Sequence, residues 1–149
     1  YLTSKANVRI DKEYSESFNI QRGVRQGCPL SPILFNLFIN DVFKGCKKYG
    51  VKLGDTRCCG GLFADDIVLC APSKRNLSKL LKKVSTWARM NLMSFGINKC
   101  ATMVIRPKND PGTSVDPIFK INDTSISQTD CYSFLGIPFD NNDLNRYKL

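Results

Sequence analysis

Apolar and polar residues alternate over short distances at the start of the chain. Val8 to Ile10 and Ser17 to Ile20 flank the polar stretch Asp11 to Glu16 and predict the two short strands of a hairpin. A polar loop, Gln21 to Pro29, follows. Ile33, Leu34, Leu37, Phe38, Ile39 and Val42 then recur at helical spacing. Ser31 is placed to cap that helix, Pro32 suits its first position because no N–H is needed there, and Gly45 closes it. Lys47 to Arg57 reads as a loop or weak edge strand. Gly60 to Ala71 reads as two short apolar strands joined at Asp65-Asp66, with arms expected to be buried on both faces. Pro72 and Ser73 open a strongly amphipathic helix. Leu77, Leu80, Leu81, Val84, Trp87 and Ala88 lie on one side of it, and Lys79, Lys82, Lys83 and Arg89 on the other, with Gly96 as its stop. A strand from Ala101 to Ile105, a turn-rich loop from Pro107 to Pro117, and strands at Ile118–Ile121 and Cys131–Phe139 around a turn at Asn122-Asp123 complete the pattern. Tight hairpins force antiparallel pairing, so the expected class is α+β: an antiparallel sheet with two helices packed on one face.

At 149 residues, with 42% hydrophobic and 23% charged positions, the chain suits one globular domain over residues 1–149, with a loose tail from about 140. It opens on Tyr1 rather than Met and reads as a piece of something longer. No apolar run is long enough to span a membrane. The absence of His excludes a Ser-His-Asp triad and any His-ligated metal. Seven Cys, an odd number with no C-x-x-C spacing, point to free thiols in a reducing intracellular compartment, cytoplasm or nucleus.

The net charge is +9, unevenly spread. Between Ser73 and Lys108 there are nine basic residues and no acidic one; the flanking segments nearly cancel. Such a block is an electrostatic footprint for a polyanion, although a solvated helix face gives the same composition. Lys74, Arg75, Lys79, Lys82 and Lys83 are the candidates for contact with a nucleic-acid backbone. Acidic residues are few, and among them only Asp65 and Asp66 are adjacent. Two carboxylates forced together beside apolar strands repel unless a cation compensates, and a hard divalent ion such as Mg²⁺ is the natural partner. By itself, an Asp pair between strands is an ordinary turn, and it does not decide the matter.

Taken together, Arg22-Gly23-Val24-Arg25-Gln26-Gly27-Cys28-Pro29-Leu30-Ser31-Pro32, Phe63-Ala64-Asp65-Asp66, Gly96-Ile97-Asn98-Lys99 and Phe134-Leu135-Gly136 stand in the order and spacing of a polymerase palm. The chain resembles the RNA-directed DNA polymerase (reverse transcriptase) domain of non-LTR retrotransposons from about Val8 to Phe139. The resemblance implies that Asp65 and Asp66 bind a catalytic pair of Mg²⁺ ions. It places Arg22, Gln26 and Gly27 against the incoming nucleotide and template, makes Lys99 a proton donor to the leaving pyrophosphate, and makes Leu135 and Gly136 the hairpin that grips the primer end. It also implies an RNA template, a DNA primer or RNA–DNA hybrid, dNTPs, and the remainder of a larger polyprotein as partners.

One departure stands out. The family carries a third metal-binding Asp on an earlier apolar strand, whereas Asp11, the one Asp before Arg22, sits in a polar turn. The chain alone is therefore expected not to polymerise. Two other readings stay open: a catalytically dead transposon remnant with residual RNA binding through Lys74 to Arg89, and an unrelated basic α+β RNA-binding module. The second would need stacking aromatics on an exposed sheet face, whereas Phe63, Phe119 and Phe134 lie in apolar runs expected to be buried.

Overall fold

The computed structural model describes residues 4–106 and 115–140, so most of the Pro107–Pro117 loop and all of the expected tail beyond Asp140 lie outside the described residues. The chain divides into two compact units. One groups Tyr1–Asp41 with Phe63–Asp66, and the other comprises Val42–Leu62 and Ile67–Leu149.

In the first unit the expected N-terminal hairpin is a nested pair of ladders. Arg9–Ile10 pairs with Glu13–Tyr14 across a turn at Asp11, whose φ is 54°. Outside it, Lys5–Ala6 pairs with Phe18–Asn19. The polar stretch therefore contributes a strand of its own, because Asp11 tolerates the left-handed turn that closes the inner pair. Helix α1 spans Ser31–Ile39, with Leu30 rather than Ser31 at its N-cap, and it ends before Asn40 instead of reaching Gly45. Ser31 is buried and its hydroxyl donates to the Arg25 carbonyl, so it fastens the preceding loop to the helix instead of capping it. The apolar spacing of α1 does not translate into a buried face. Ile39 is buried, but Ile33, Leu34, Leu37 and Phe38 are exposed. A helix apolar nearly all round cannot bury every side within so small a unit.

The second unit is organised by helix α2, Lys74–Met90. The Ser73 side chain accepts a hydrogen bond from the Asn76 N–H, fixing the start where the sequence places it. The end comes at Met90, six residues short of Gly96, because Leu92 adopts φ 57° and the Met93 N–H turns back to the Ala88 carbonyl. Leu80, Leu81, Val84 and Ala88 are buried, while Lys79, Lys82, Lys83 and Arg89 are exposed, as the amphipathic pattern requires. Leu81 packs in a cluster with Phe119, Ile121 and Ile126. Its neighbour Leu80 packs in another with Cys46 and Cys59.

Around these clusters lie short ladders. Lys47–Tyr49 is a single 3₁₀ turn, followed by a hairpin of Val51–Leu53 and Thr56–Cys58 where only a loop or edge strand is expected. Ala101–Thr102, shorter than the expected strand to Ile105, runs parallel to Ser127–Gln128. The turn at Asn122-Asp123 is where the sequence puts it, both residues having positive φ, but it joins Lys120–Ile121 to Thr124–Ser125. Cys131–Phe139 is not one strand. Cys131–Phe134 folds back on Ile137–Asp140. Among the described residues there is thus no continuous antiparallel sheet, but seven separate two-stranded ladders, one of them parallel. Five of these ladders join strands that are neighbours in sequence, while Lys5–Ala6 with Phe18–Asn19 and Ala101–Thr102 with Ser127–Gln128 pair over longer separations. Arg106 and Asp116 form an ion pair, and the Gln128 side-chain amide donates to the same carboxylate. The Arg106 guanidinium holds the Asp116 carboxyl below its ordinary value. No helix among the described residues is long and apolar enough to cross a membrane.

Leu80 is fully buried, so Leu80→Ala should cost about 2–5 kcal/mol. Met90→Ala, at a position 76% exposed, should stay within about 0.5 kcal/mol. Urea unfolding followed by the fluorescence of Trp87 measures both.

Candidate active site: an aspartate turn and its supports

Gly60–Phe63 and Asp66–Leu69 form a two-stranded ladder, and Ala64-Asp65 is the turn between them. The strands approach so closely at Gly60 (φ 148°) that a Cβ there would overlap the Val68 carbonyl oxygen; no other residue fits. The ladder continues beyond the strands through a 2.9 Å bond from the Cys70 N–H to the Cys59 carbonyl. At the tip, Ala64 takes φ 50°, a position that two-residue turns usually give to glycine. Asp65 is the second residue of the turn and Asp66 the first of the returning strand, and both are exposed. The arms are not buried on both faces: Phe63 is 62% exposed, against the expectation of a core residue, while Leu62, Ile67, Val68 and Leu69 are half-buried. The strands are four residues each, and of the ladder Leu69 packs against the core clusters.

The Gln26-Gly27 loop belongs to the same compact unit as the aspartate turn. Gln26 and Gly27 form the turn closed by the Cys28 N–H on the Arg25 carbonyl at 3.3 Å. Gly27 has φ 77°, the conformation this turn demands, with open space where a side chain would stand. The buried Ser31 at the start of α1 pins the turn through the Arg25 carbonyl, so the helix sets its position. Arg22, Gln26 and Gly27 are all exposed.

Lys99, Leu135 and Gly136 belong to the second unit. Lys99 ends the 3₁₀ turn Ile97–Lys99, whose Ile97 packs against the Leu81 cluster. Leu135 and Gly136, with φ 53° and 78°, form the tight turn of the Cys131–Asp140 hairpin. The two features are tied together by a contact the sequence does not announce: the Tyr132 hydroxyl donates to the Lys99 carbonyl at 3.0 Å. These residues stand 33 positions apart, and no spacing rule connects them. Lys74, Arg75, Lys79 and Lys82 line an open groove along α2, and Lys83 is exposed beside it.

All seven cysteines are free. Burial pushes the Cys46, Cys59, Cys70 and Cys100 thiols up, with Lys83 pulling Cys46 slightly the other way, so these four are held as neutral thiols.

Residues 1–139 match the family described as reverse transcriptase (RNA-dependent DNA polymerase). The chain belongs to the reverse transcriptase family. Among curated relatives, a Retrovirus-related Pol polyprotein from the type-2 retrotransposable element R2DM of Drosophila melanogaster is 34% identical over 131 residues, 84% of this chain and 12% of that protein. A Pol polyprotein from a type-1 element R2 of Nasonia vitripennis is 27% identical over 146 residues, 93% of the chain and 14% of the relative. One from Popillia japonica is 24% identical over 148 residues, 89% of the chain and 23% of the relative. The chain thus spans under a quarter of each of these relatives. Membership removes the unrelated RNA-binding module from consideration.

For a reverse transcriptase the donor set at the turn is of the right kind. Two adjacent carboxylates are hard oxygen ligands, and Mg²⁺ commonly takes one or two carboxylates and fills its shell with water and phosphate oxygens. Among the described residues, however, no group of three His, Cys, Asp or Glu side chains could hold a metal.

Tyr132→Phe should loosen the Lys99 turn without unfolding the unit. Losing one surface hydrogen bond of about 0.5–1 kcal/mol should speed amide exchange at Ile97 to Cys100 a few-fold, read by hydrogen exchange with mass detection.

Proposed function

We propose that the chain is part of an RNA-directed DNA polymerase of a non-LTR retrotransposon, and that it carries the metal-binding turn for nucleotidyl transfer to a primer 3′ end. The observation that carries this reading is the paired, exposed Asp65 and Asp66 at a strained hairpin tip, in one compact unit with the Gln26-Gly27 turn. A bound pair of Mg²⁺ ions would supply activation of the attacking oxygen and stabilisation of the leaving one. Asp65 and Asp66 would hold the ions. Gln26 and Gly27 would lie against the nucleotide and template, with exposed backbone at Gly27 allowing close approach, and Arg22 would offer its guanidinium to phosphate. The primer 3′ oxygen would form its bond to the α-phosphorus as the bond to pyrophosphate breaks. Lys99 would give that leaving group its proton. Leu135 and Gly136 would hold the primer end, and Tyr132 would keep their hairpin registered on the Lys99 turn.

On this reading both units are portions of one palm acting on an RNA template and DNA primer within a larger polyprotein, in a reducing compartment that keeps the seven thiols free. The basic face of α2 would neutralise backbone phosphates of an RNA–DNA hybrid recognised by shape. A second reading, a remnant that binds RNA without catalysis, is favoured by the lack of a three-carboxylate group among the described residues.

Primer extension decides between them. The chain alone, with Mg²⁺ or Mn²⁺, should give no templated product. Expressed from its complete reading frame it should extend a primer on RNA, and Asp65→Asn or Asp66→Asn should each lower the rate by roughly 10²–10³ or more. RNA binding that persists in both variants while no frame yields extension would establish the remnant.

A further inference from the structure

The 3₁₀ turn Lys47–Tyr49 packs on α2, and the half-buried Tyr49 ring leans on the Leu80 cluster. Two ammonium groups converge on that ring from different elements: Lys48 Nζ stands 5.2 Å and Lys79 Nζ 5.3 Å from its centroid. One helical turn further along α2, Lys83 Nζ lies 3.5 Å from where a Cβ on Gly45 would be, against the segment that leads into the 3₁₀ turn. The sequence gives this contact a particular meaning. Residues 42–54 hold four lysines and no acid, and residues 73–108 hold nine basic residues and no acid. Folding therefore brings together two segments that both lack counter-charges, and among the described residues the ion pair found is the distant Arg106–Asp116.

Like charges gathered around one ring lie within a Debye length of about 8–10 Å and repel through little screening. The ring face offsets part of that repulsion by cation–π attraction, and a bound anion would offset the rest. The surface is open and crosses two elements, so it suits a long polyanion rather than a small enclosed ion. Lys79 and Lys83 follow each other along the helix at about 6 Å, and the groove lined by Lys74, Arg75 and Lys82 continues the same charge.

We infer that the Lys47–Tyr49 turn and the Lys79–Lys83 face of α2 form one continuous binding surface for the phosphodiester backbone of a nucleic acid, with Tyr49 holding the two elements in register. This deepens the backbone-binding role proposed for α2 and adds Lys47, Lys48 and Tyr49 to it. It does not depend on the aspartate turn.

The test is binding of the full chain to a short single-stranded RNA, a DNA of the same sequence and their hybrid, followed by fluorescence anisotropy over a range of salt. Lys47→Gln with Lys48→Gln should make the slope of log K against log salt shallower by about 1.4 for the single strands, near 0.7 per lost contact. Lys79→Gln with Lys83→Gln should do the same, and the control Lys120→Gln should change nothing. Equal effects on RNA and DNA would mark backbone recognition by this surface. If the Lys47 and Lys48 substitutions leave slope and affinity untouched while those on α2 reduce both, the surface ends at the helix and the inference fails. If no substitution on either element alters binding, it fails together with the role of α2. The polymerase reading stands or falls separately, on primer extension.

Discussion

Two adjacent side chains on α2 carry much of the second unit. Leu80 points into the cluster built with Cys46 and Cys59, which supports the 3₁₀ turn and the base of the aspartate hairpin through Leu69 and Ala71. Leu81 points into the cluster with Phe119, Ile121 and Ile126, which supports the Lys99 turn through Ile97 and Cys100. Adjacent helical residues diverge by about 100° around the axis. One apolar stripe can thereby anchor two separate sets of short ladders that share no sheet. Ladders of two to four residues have little stability of their own, so their geometry is inherited from this helix.

The same helix has a second face whose charge is the mirror of its burial. Every turn that places leucine or valine inward places lysine or arginine outward, and the acid-free sequence around it leaves that charge uncompensated within the element. The aspartate turn shows the converse arrangement. There, two acids stand exposed beside apolar strands, on a backbone held in a left-handed conformation by a residue with a Cβ. Ala64 shares its left-handed conformation with Leu92 and Leu135 at other turns, whereas α2 keeps to the local rules for a helix.

How much was legible in the sequence followed from range. The Ser73 cap, the stripe from Leu77 to Ala88 and the turn at Asn122-Asp123 are local, and each lies where its residues place it. The pair of strands around Asp65-Asp66 is local too. Helix α1 departs from its pattern at both ends, where Ser31 serves the Arg25 carbonyl and the helix stops before Asn40, and its almost wholly apolar surface gives no direction for burial. Glycine usually stops a helix, but Leu92 reverses the chain before Gly96 is reached. A run such as Cys131–Phe139 hides its own turn, since Leu135 is an unusual residue for a positive φ. The single sheet could not be judged from pattern, because pairing partners are set by turns and by contacts between distant segments. Tyr132 on Lys99 and Lys48 beside Lys79 are of this kind. Of the candidate site, the residue identities came from motif order, and the supports beneath them came only from the three-dimensional arrangement.

Metal binding at the Asp65-Asp66 turn is the proposed property on which the catalytic role rests. Titration of the isotopically labelled chain with Mn²⁺, followed by paramagnetic broadening of backbone amide signals, tests it most directly. The expected result is selective loss of the Ala64, Asp65 and Asp66 signals at low Mn²⁺, abolished when both aspartates are replaced by Asn. Broadening centred elsewhere, or unchanged by those substitutions, would contradict it.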